Sequence, residues 1–442
     1  MQFVKNQFLK LLKNQLVAGS LVLFIGTTFA NFGNYLYHLL MGRMLGPVDY
    51  GALVSLISLA YLIGIVSSTL DIVVARFTSI YKVKADYPRI YSLFKEFSQK
   101  FLFVGIGIFA IFALSNQFIG EFLKITHNQA IILIGSIFII RFLVPVNNGL
   151  LRGFLNFTFL SVNGVLAVIL KLGLGVVLVK MGFSVLGAII GVVIADYLTY
   201  LFSFVPLRFL FNYRAKARAI NWKEKILYAW PTFIVVLSLT SLFTTDVLLV
   251  KHFFTAHQAG LYSALSMLGK IIFFASGAIA IAMFPLVAEK HENGKKYQGL
   301  LNQALLLVGV ISVGLTAVYF VAPKLMVQLL YGSSYLEIAP LLGIFGIFIA
   351  LYSEVNVLIN FSLSIHQTKV AFFPAIAAGA QALLIWFFHN SILQVVQISI
   401  LVTALLLLAL LLYNFGTISP KQIYCKIIQA LPAGRRKAQS II

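Results

Sequence analysis

Long apolar runs with few charges, separated by short polar segments, make up most of this chain of 442 residues. About 20 apolar residues in a helix cross the roughly 30 Å hydrocarbon core of a bilayer. In lipid, only helices and closed barrels satisfy all their backbone hydrogen bonds, and these runs are far longer than barrel strands. The sequence therefore predicts an all-α polytopic membrane protein.

About twelve transmembrane helices are predicted, because the longest runs divide at short polar or glycine-containing segments. The run 129–207, for instance, is too long for two spans and offers breaks at 152–156 and 180–184. The predicted spans are residues 16–41, 50–78, 100–122, 129–151, 159–180, 184–207, 226–250, 258–288, 299–321, 337–362, 370–388 and 391–415.

Positive charge lies mostly in the segments that join the spans on one side. With the N-terminus inside, the inner segments hold 24 of the 33 Lys and Arg residues and the outer segments hold 5. An excess of Lys and Arg marks cytoplasmic loops. We therefore expect a multi-pass protein of the cell (plasma or inner) membrane with both termini cytoplasmic. This distribution accounts for the net charge of +21 without nucleic acid as a partner.

The longest inner loop divides the chain into two halves of six spans each. It carries six positive charges and one acid. A basic apolar segment at the N-terminus is typical either of a helix that lies on anionic membrane lipids or of a basic flank that anchors the first span. The predicted organisation is an amphipathic segment 1–15, an N-terminal six-helix lobe 16–207, a basic cytoplasmic linker 208–225, a C-terminal six-helix lobe 226–415 and a basic cytoplasmic tail 416–442.

Two turns about 209 positions apart indicate that the two lobes repeat one unit. The first turn is Leu45-Gly46-Pro47-Val48-Asp49-Tyr50-Gly51, and a weaker echo spans residues 254–260. Gly46-Pro47 is expected to end a helix, and Asp49 to cap a second helix that begins at Tyr50. Aligning Gly51 with Gly260 gives two six-helix bundles related by a pseudo-two-fold axis along the membrane normal. The second helix of each lobe is expected to end in a polar inner loop, at 82–100 and 289–298.

The order of these features resembles a known transporter family. The features are the basic amphipathic start, a first span with a polar stripe, the turn 45–51, a long second span with a basic end, and Leu151-Arg152-Gly153-Phe154-Leu155-Asn156-Phe157 after span 4. Together they resemble the oligosaccharide (O-antigen/polysaccharide) lipid flippases of the multidrug/oligosaccharidyl-lipid/polysaccharide exporter superfamily, over essentially the whole chain.

The resemblance implies a central cavity between two bundles that opens alternately inward and outward. The cargo would be a saccharide linked to a polyprenyl (pyro)phosphate, moved from the inner to the outer leaflet for cell-surface polysaccharide synthesis. Two departures are visible. The peptidoglycan-precursor branch typically has fourteen spans rather than twelve, and the sequence carries no strong signature of the multidrug antiporter branch.

Ionisable residues within the spans are the candidate site residues, since a charge in the bilayer usually faces a cavity or a partner. Four cations suit a negatively charged carrier lipid: Lys270, Arg76, Arg141 and Lys171. Lys270 shares a helix face with Ser263 and Ser266, which we also assign to the cavity. The competing roles are pairing with a carboxylate of another helix and, for Arg76, snorkelling to the interface. Pro145, in the span that holds Arg141, predicts a kink.

A polar stripe on the first span adds candidates for binding sugar hydroxyl groups. It consists of Thr27, Asn31, Asn34 and His38, which recur at helical spacing. We assign Asn31 and Asn34 to the substrate site. The alternative is that the stripe forms hydrogen bonds between helices.

Two acids in the second lobe are candidates for coupling transport to Na⁺ or H⁺. Asp246 follows the hydroxyl residues Ser238, Ser241 and Thr245, and Glu354 lies near two asparagines in span 10. In the first lobe, Asp196 is expected to neutralise Lys171 or Arg141. We expect no other cofactor.

The sequence shows no set of catalytic residues, no His/Cys cluster with metal-ligand spacing and no Walker-type phosphate loop. A cation-coupled multidrug or organic-cation antiporter is the main alternative function. The cationic residues argue against a cationic cargo, although four bases and four acids lie in the spans. A membrane-embedded glycosyltransferase or polymerase is disfavoured because all outer loops are short. We expect a transporter that is not an enzyme and functions as a monomer.

Overall fold

The computed structural model describes residues 15–125, 128–216, 222–292, 296–365 and 367–416, which form helices and turns without any strand among them. The predicted amphipathic segment, apart from its last residue, and the basic tail after residue 416 lie outside these ranges. The α-helices are α1 (Gln15–Val83), α2 (Tyr87–Leu114), α3 (Asn116–Leu123), α4 (Asn128–Arg141), α5 (Val144–Gly153), α6 (Phe157–Leu178), α7 (Ser184–Phe202), α8 (Trp222–Leu242), α9 (Thr245–Phe253), α10 (Ala256–Glu292), α11 (Gln298–Val321), α12 (Pro323–Leu330), α13 (Ala339–Ser364), α14 (Phe372–Phe387) and α15 (Ile392–Gly416).

Shorter helical segments join several of these helices. A π-helical turn, Val179–Phe183, links α6 to α7. Three 3₁₀ segments follow α7, α12 and α13, at Val205–Lys216, Ser333–Ile338 and Thr368–Ala371. The predicted linker 208–225 thus falls on the end of the first of these segments, the undescribed residues 217–221 and the start of α8.

The long element α1 contains two spans separated by a kink at Gly46. Gly46 alone has non-helical dihedral angles, with φ 72° and ψ 175°. Only glycine adopts this backbone at little cost, and Pro47 begins the second span, where its missing N–H costs no hydrogen bond. The helix interruption predicted at Gly46-Pro47 is confirmed. The predicted cap is wrong, because Asp49 lies in the first turn of the second span and accepts a hydrogen bond from Ser184 Oγ.

The third predicted span is displaced toward the N-terminus. We expected a polar loop over 82–100, but α2 begins at Tyr87, with Asp86 accepting a hydrogen bond from the Arg89 backbone N–H. Charged residues therefore occupy the first turns of α2, which extend the helix beyond its apolar stretch. The residues after Ser115, both polar and apolar, form the separate short helix α3.

Two predicted spans are broken. The fourth divides into α4 and α5, and Pro145 stands in the first turn of α5, as predicted. The seventh, predicted as one helix over 226–250, bends by 44° between α8 and α9. Breaks of this kind leave backbone groups and helix ends at mid-membrane, where transporters bind ions and substrates.

The described chain contains twelve spans, in agreement with the prediction. Nine helices are long and apolar enough to cross a membrane, and the bent pair makes a tenth. Two of the nine, 59 and 46 residues long, include the left-handed glycines Gly46 and Gly182. Each is at least twice as long as the roughly 20 residues that a span needs. Dividing both gives twelve, six in each lobe.

The two lobes meet at the residues that the sequence alignment pairs. A Cβ on Gly51 would lie 2.8 Å from Gly260 Cα, and a Cβ on Gly260 would collide with the Pro47 carbonyl oxygen. A residue touches its own repeat equivalent only near a symmetry axis. The contact therefore places the pseudo-two-fold axis between these glycines, whose lack of a side chain lets the helices approach closely.

Candidate functional site: a cavity between the two lobes

A cavity of about 660 Å³ lies on the side of the Gly51–Gly260 crossing that the sequence predicts to face inward. Its volume is within the range of small-molecule binding sites. The N-terminal lobe supplies most of the wall. The polar residues on this wall are Asn31, Asn34, Tyr35, His38, Tyr61, Ser67, Asp71, Arg141, Asn148, Asn163, Asp196 and Thr199. The C-terminal lobe contributes Thr240, Phe243, Met267, Lys270 and Phe274. The cavity brings together the predicted residues Asn31, Asn34, Arg141 and Lys270.

Two salt bridges cross the N-terminal wall. Arg141 Nε lies 3.3 Å from Asp196 Oδ2, and Arg152 Nη2 lies 2.9 Å from Asp71 Oδ2. The first pair joins α4 to α7, and the second joins α5 to the second span. Arg141 is therefore neutralised by Asp196, one of the two partners that the sequence offered for this acid. As a result, each of the two carboxylates on this wall is paired with an arginine.

Lys171 lies behind the same wall. Its Nζ donates a hydrogen bond to Asn34 Oδ1 and stands 4.5 Å from the centre of the Tyr37 ring. Asn34 thus holds a lysine while it also lines the cavity. Three residues of the polar stripe, Asn31, Asn34 and His38, therefore face the cavity, and Asn34 also joins two helices.

Lys270 is the cation that the C-terminal lobe presents to the cavity. It is 6% exposed, and its Nζ lies 4.4 Å from the centre of the Phe243 ring, which stands at the break of the seventh span. Among the described residues it forms no salt bridge. A cation held against an aromatic face in a partly dry cavity retains most of its attraction for an anion.

Besides Lys171, three of the predicted substrate residues do not line this cavity. Arg76 is exposed, one and a half turns beyond Asp71 toward the inner end of its span. Ser263 and Ser266 are buried between helices, and the Ser263 hydroxyl donates to the Ala259 carbonyl of its own helix. Ser263 and Ser266 lie on the same helix face as Lys270, as predicted. Unlike Lys270, however, they pack against neighbouring helices and do not reach the cavity.

Asp246 stands directly after the break of the seventh span and is fully buried. Its Oδ2 accepts a hydrogen bond of 2.6 Å from the Tyr262 hydroxyl. Within the described chain, Asp246 Oδ1 and the nearby Thr244 hydroxyl have no hydrogen-bond partner. Unpaired buried oxygens are costly, so this break holds acceptors that a cation or a proton would satisfy.

Glu354 lies elsewhere in the C-terminal lobe, on α13, half-buried against α11. A Cβ on Gly309 of α11 would lie 3.2 Å from Glu354 Oε1. No contact joins it to Asp246 among the described residues. Those residues also contain no group of three His, Cys, Asp or Glu side chains arranged to hold a metal.

The structure adds wall residues that we did not assign from the sequence. Asn163 lines the cavity, and its Oδ1, like that of Asn148, has no partner among the described residues. A signal was present, since Asn163, Ala167 and Lys171 recur every four residues on an apolar helix. Asp71 is one of the four acids within the spans, but its partner Arg152 is distant in sequence. Tyr61 gave no such signal, because its role depends on the distant Arg141.

The fold is shared with transporters of known structure. An inward-facing multidrug resistance MATE family transporter of the MOP superfamily matches with a TM-score of 0.70 and 14% identity, over 87% of this chain and 96% of that chain. The lipid II flippase MurJ in an inward closed conformation matches with a TM-score of 0.71 and 13% identity, over 90% of this chain and 88% of that chain. An outward-facing MATE family transporter matches with a TM-score of 0.63 and 16% identity, over 93% and 97% of the two chains.

These likenesses define the class of fold: a multi-pass membrane protein built from the two helical bundles of MOP superfamily transporters. A family model described as polysaccharide biosynthesis protein matches residues 40–340. The chain belongs to this family of polysaccharide biosynthesis proteins, in agreement with the family resemblance of its sequence. A comparison with curated proteins gives no match.

Proposed function

We propose that the protein flips a saccharide linked to a polyprenyl (pyro)phosphate from the inner to the outer leaflet by alternating access. Its family acts in polysaccharide biosynthesis, and one structural neighbour is a lipid II flippase. The cargo leaves chemically unchanged, so we infer a transporter and not an enzyme. Its partners are the lipid-linked saccharide and the membrane lipids. We place it in the cell membrane as a monomer with both termini cytoplasmic.

The observation that carries this proposal is the distribution of charge around the cavity. On the N-terminal wall, amides accompany two internally neutralised Arg–Asp pairs. On the opposite wall, Lys270 has no carboxylate in salt-bridge contact among the described residues. A saccharide suits the first wall, because amides both donate to and accept from hydroxyl groups. The (pyro)phosphate suits Lys270, as a charge-assisted contact.

The same distribution disfavours the multidrug antiporter, although MATE transporters share the fold. An unpaired carboxylate favours an organic cation, as a charge-assisted partner. Both wall carboxylates are engaged by arginines, and Lys270 would repel a positive cargo.

Coupling to Na⁺ or H⁺ is assigned to Asp246. The support is its complete burial at a helix break, with two unsatisfied oxygens nearby. Glu354 remains a second candidate for the ion. Of the remaining predicted substrate residues, Arg76 would act along the path of the cargo outside the cavity described. Lys171, Ser263 and Ser266 would act by holding the helices that line the cavity.

Reconstituted liposomes that contain a lipid-linked saccharide test the function. Appearance of the saccharide on the far leaflet is followed with an impermeant glycosidase. The native protein should accelerate flipping, and Lys270→Ala should reduce the rate at least tenfold, since a charge-assisted contact contributes about 1.5–3 kcal/mol. Lys270→Arg should retain most of the activity.

Lys324→Ala is the matched control, because Lys324 is exposed on the short helix α12, away from the cavity. Efflux of an organic cation from the same liposomes tests the alternative. Flipping that proceeds normally in Lys270→Ala would refute the proposed phosphate subsite. Cation efflux without flipping would refute the proposed function.

A further inference from the structure

Two short helices, one in each lobe, lie at the end of the molecule predicted to face outward, called the outer end below. They are α3 (Asn116–Leu123) and α12 (Pro323–Leu330), each eight residues long and 207 positions apart. Left-handed residues follow them, Lys124 with φ 51° and Gly332 with φ 94°. The last carbonyl groups of a helix have no partner within it, so both helices present free acceptors at their C-terminal ends.

In the first contact, Arg43 of the N-terminal lobe binds the end of α12. Its Nε donates to the Leu330 carbonyl at 2.9 Å, and its Nη2 donates to the Leu329 carbonyl. The Tyr335 hydroxyl donates back to the Gly42 carbonyl at 2.9 Å. A guanidinium at a helix C-terminus satisfies the carbonyl groups and opposes the negative end of the helix dipole.

In the second contact, His252 of the C-terminal lobe binds the end of α3. Its Nδ1 lies 2.8 Å from the Phe122 carbonyl oxygen, and its ring stacks on Phe122 at 4.0 Å. A carbonyl only accepts, so Nδ1 carries the proton. Lys124 Nζ donates in the opposite direction to the Phe254 carbonyl at 3.1 Å.

The two contacts are equivalent under the internal repeat. Arg43 and His252 are 209 positions apart, as are Gly51 and Gly260, and Phe122 and Leu329 are 207 positions apart. In each contact, a side chain at the outer end of a lobe's first span reaches the carbonyl end of the other lobe's short helix. The axis between the glycines therefore relates one contact to the other.

We propose that these two contacts, the Arg43 clasp and the His252 clasp, together hold the outer end closed and must both break for the cavity to open outward. Separating the lobes at this end would expose the carbonyl groups of both short helices at once. Because the clasps lie on opposite sides of the axis, either one alone restrains the rotation of the lobes. This proposal rests on the proposed function only in assuming a transport cycle, whatever the cargo.

A chain of hydrogen bonds connects the Arg43 clasp to the cavity. His38 lines the cavity, and its Nδ1 lies 3.4 Å from the Tyr50 hydroxyl. The Tyr50 hydroxyl in turn lies 3.0 Å from the hydroxyl of Tyr331. Tyr331 belongs to the other lobe and directly follows α12. Cargo that displaces His38 would therefore disturb the residues that the clasp holds in place.

Cysteine labelling of the full chain in intact cells tests the clasps without any substrate. Cys425 is the only cysteine, so Cys425→Ser gives a background for single reporters. Ala259→Cys places a reporter beside the crossing, at a position 2% exposed. We expect slow labelling by an impermeant maleimide, several times faster labelling with Arg43→Ala or His252→Ala, and the fastest labelling with both. Arg43→Lys keeps the charge but cannot donate to both carbonyl groups as the guanidinium does, so its labelling rate should be intermediate.

Two controls make the result decisive. Val48→Cys, at an outer position 49% exposed, should label equally in every background and so reports folding and orientation. Lys324→Ala should leave the labelling of Ala259→Cys unchanged. Unaltered labelling in both clasp variants would overturn the proposal, as would equal acceleration by Lys324→Ala or a Val48→Cys that does not label from outside. A failed flipping assay would leave this result standing.

Discussion

The N-terminal lobe lines the cavity with amides and two Arg–Asp pairs, whereas the C-terminal lobe offers Thr240, Phe243, Met267, Lys270 and Phe274. Yet both lobes have six spans, a break before the second span and a short outer helix in the same place. The arrangement of helices is thus the same in both lobes where they contact each other around the pseudo-two-fold axis. The surfaces that face the cavity differ, as we expect if a single asymmetric cargo contacts both of them.

We expect the stability of the molecule to be most sensitive to a small substitution at the contact between the two lobes, where Gly51 meets Gly260. A methyl group on Gly260 meets the Pro47 carbonyl, while one on Gly51 lies 2.8 Å from Gly260 Cα. We expect Gly260→Ala to lower the free energy of unfolding by about 3 kcal/mol or more, since overpacking at backbone contacts is rarely relieved. Gly51→Ala should cost less. Thermal unfolding of the purified variants measures both.

Gly277→Ala on the same helix as Gly260 is the control, because a Cβ there has no neighbour within 4 Å. It should be neutral or slightly stabilising. Equal stability of all three variants would show that the lobes do not meet at the glycines.

We expect the dependence of transport on an ion gradient to come from residues of the C-terminal lobe only. Asp246→Asn keeps the shape of the side chain but removes its charge. We expect transport that no longer responds to a Na⁺ or H⁺ gradient, because we propose the buried acid at the helix break as the coupling group. The measurement is the flipping rate with and without each gradient. Glu354→Gln should retain the dependence, and the opposite outcome would move the ion site to α13.

We expect the Arg–Asp pairs of the N-terminal lobe to stabilise the fold, whereas Lys270 of the C-terminal lobe should contribute to transport and little to stability. Asp196→Asn leaves Arg141 without its carboxylate. We expect a loss of about 1–3 kcal/mol, below the range for fully buried pairs, since both side chains are about a quarter exposed. Arg141→Gln in addition should restore part of the loss. Lys270→Ala should unfold close to the native temperature while transport fails, and a large loss of stability there would make Lys270 a structural residue.

The smallest effect is expected on the saccharide wall. Asn163→Ala removes one amide whose Oδ1 has no partner among the described residues. We expect the apparent affinity for the lipid-linked saccharide to fall about fivefold, as one neutral hydrogen bond contributes roughly 1 kcal/mol. Thr240→Ala on the other wall should change it less. A larger effect at Thr240 would place the sugar on the C-terminal side.

The sequence by itself determined the number of spans and most of their positions, the interruption at Gly46 and the pairing of Gly51 with Gly260. A bilayer demands continuous apolar helices of fixed length, so these features are local and leave a direct record in the order of residues. The alignment of Gly51 with Gly260 even identified two residues that touch. The sequence also indicated Lys270, Asn31 and Asn34, which do line the cavity.

Only the tertiary structure decided how the charges are used. Asp71 pairs with Arg152 and Asp196 with Arg141, across separations of 81 and 55 positions that no helical spacing encodes. The clasps likewise join side chains to the carbonyl groups of distant helix ends, and a backbone acceptor leaves no mark in the sequence. Periodicity shows which face of a helix is polar, but the packing of twelve helices selects the partner that each polar group meets.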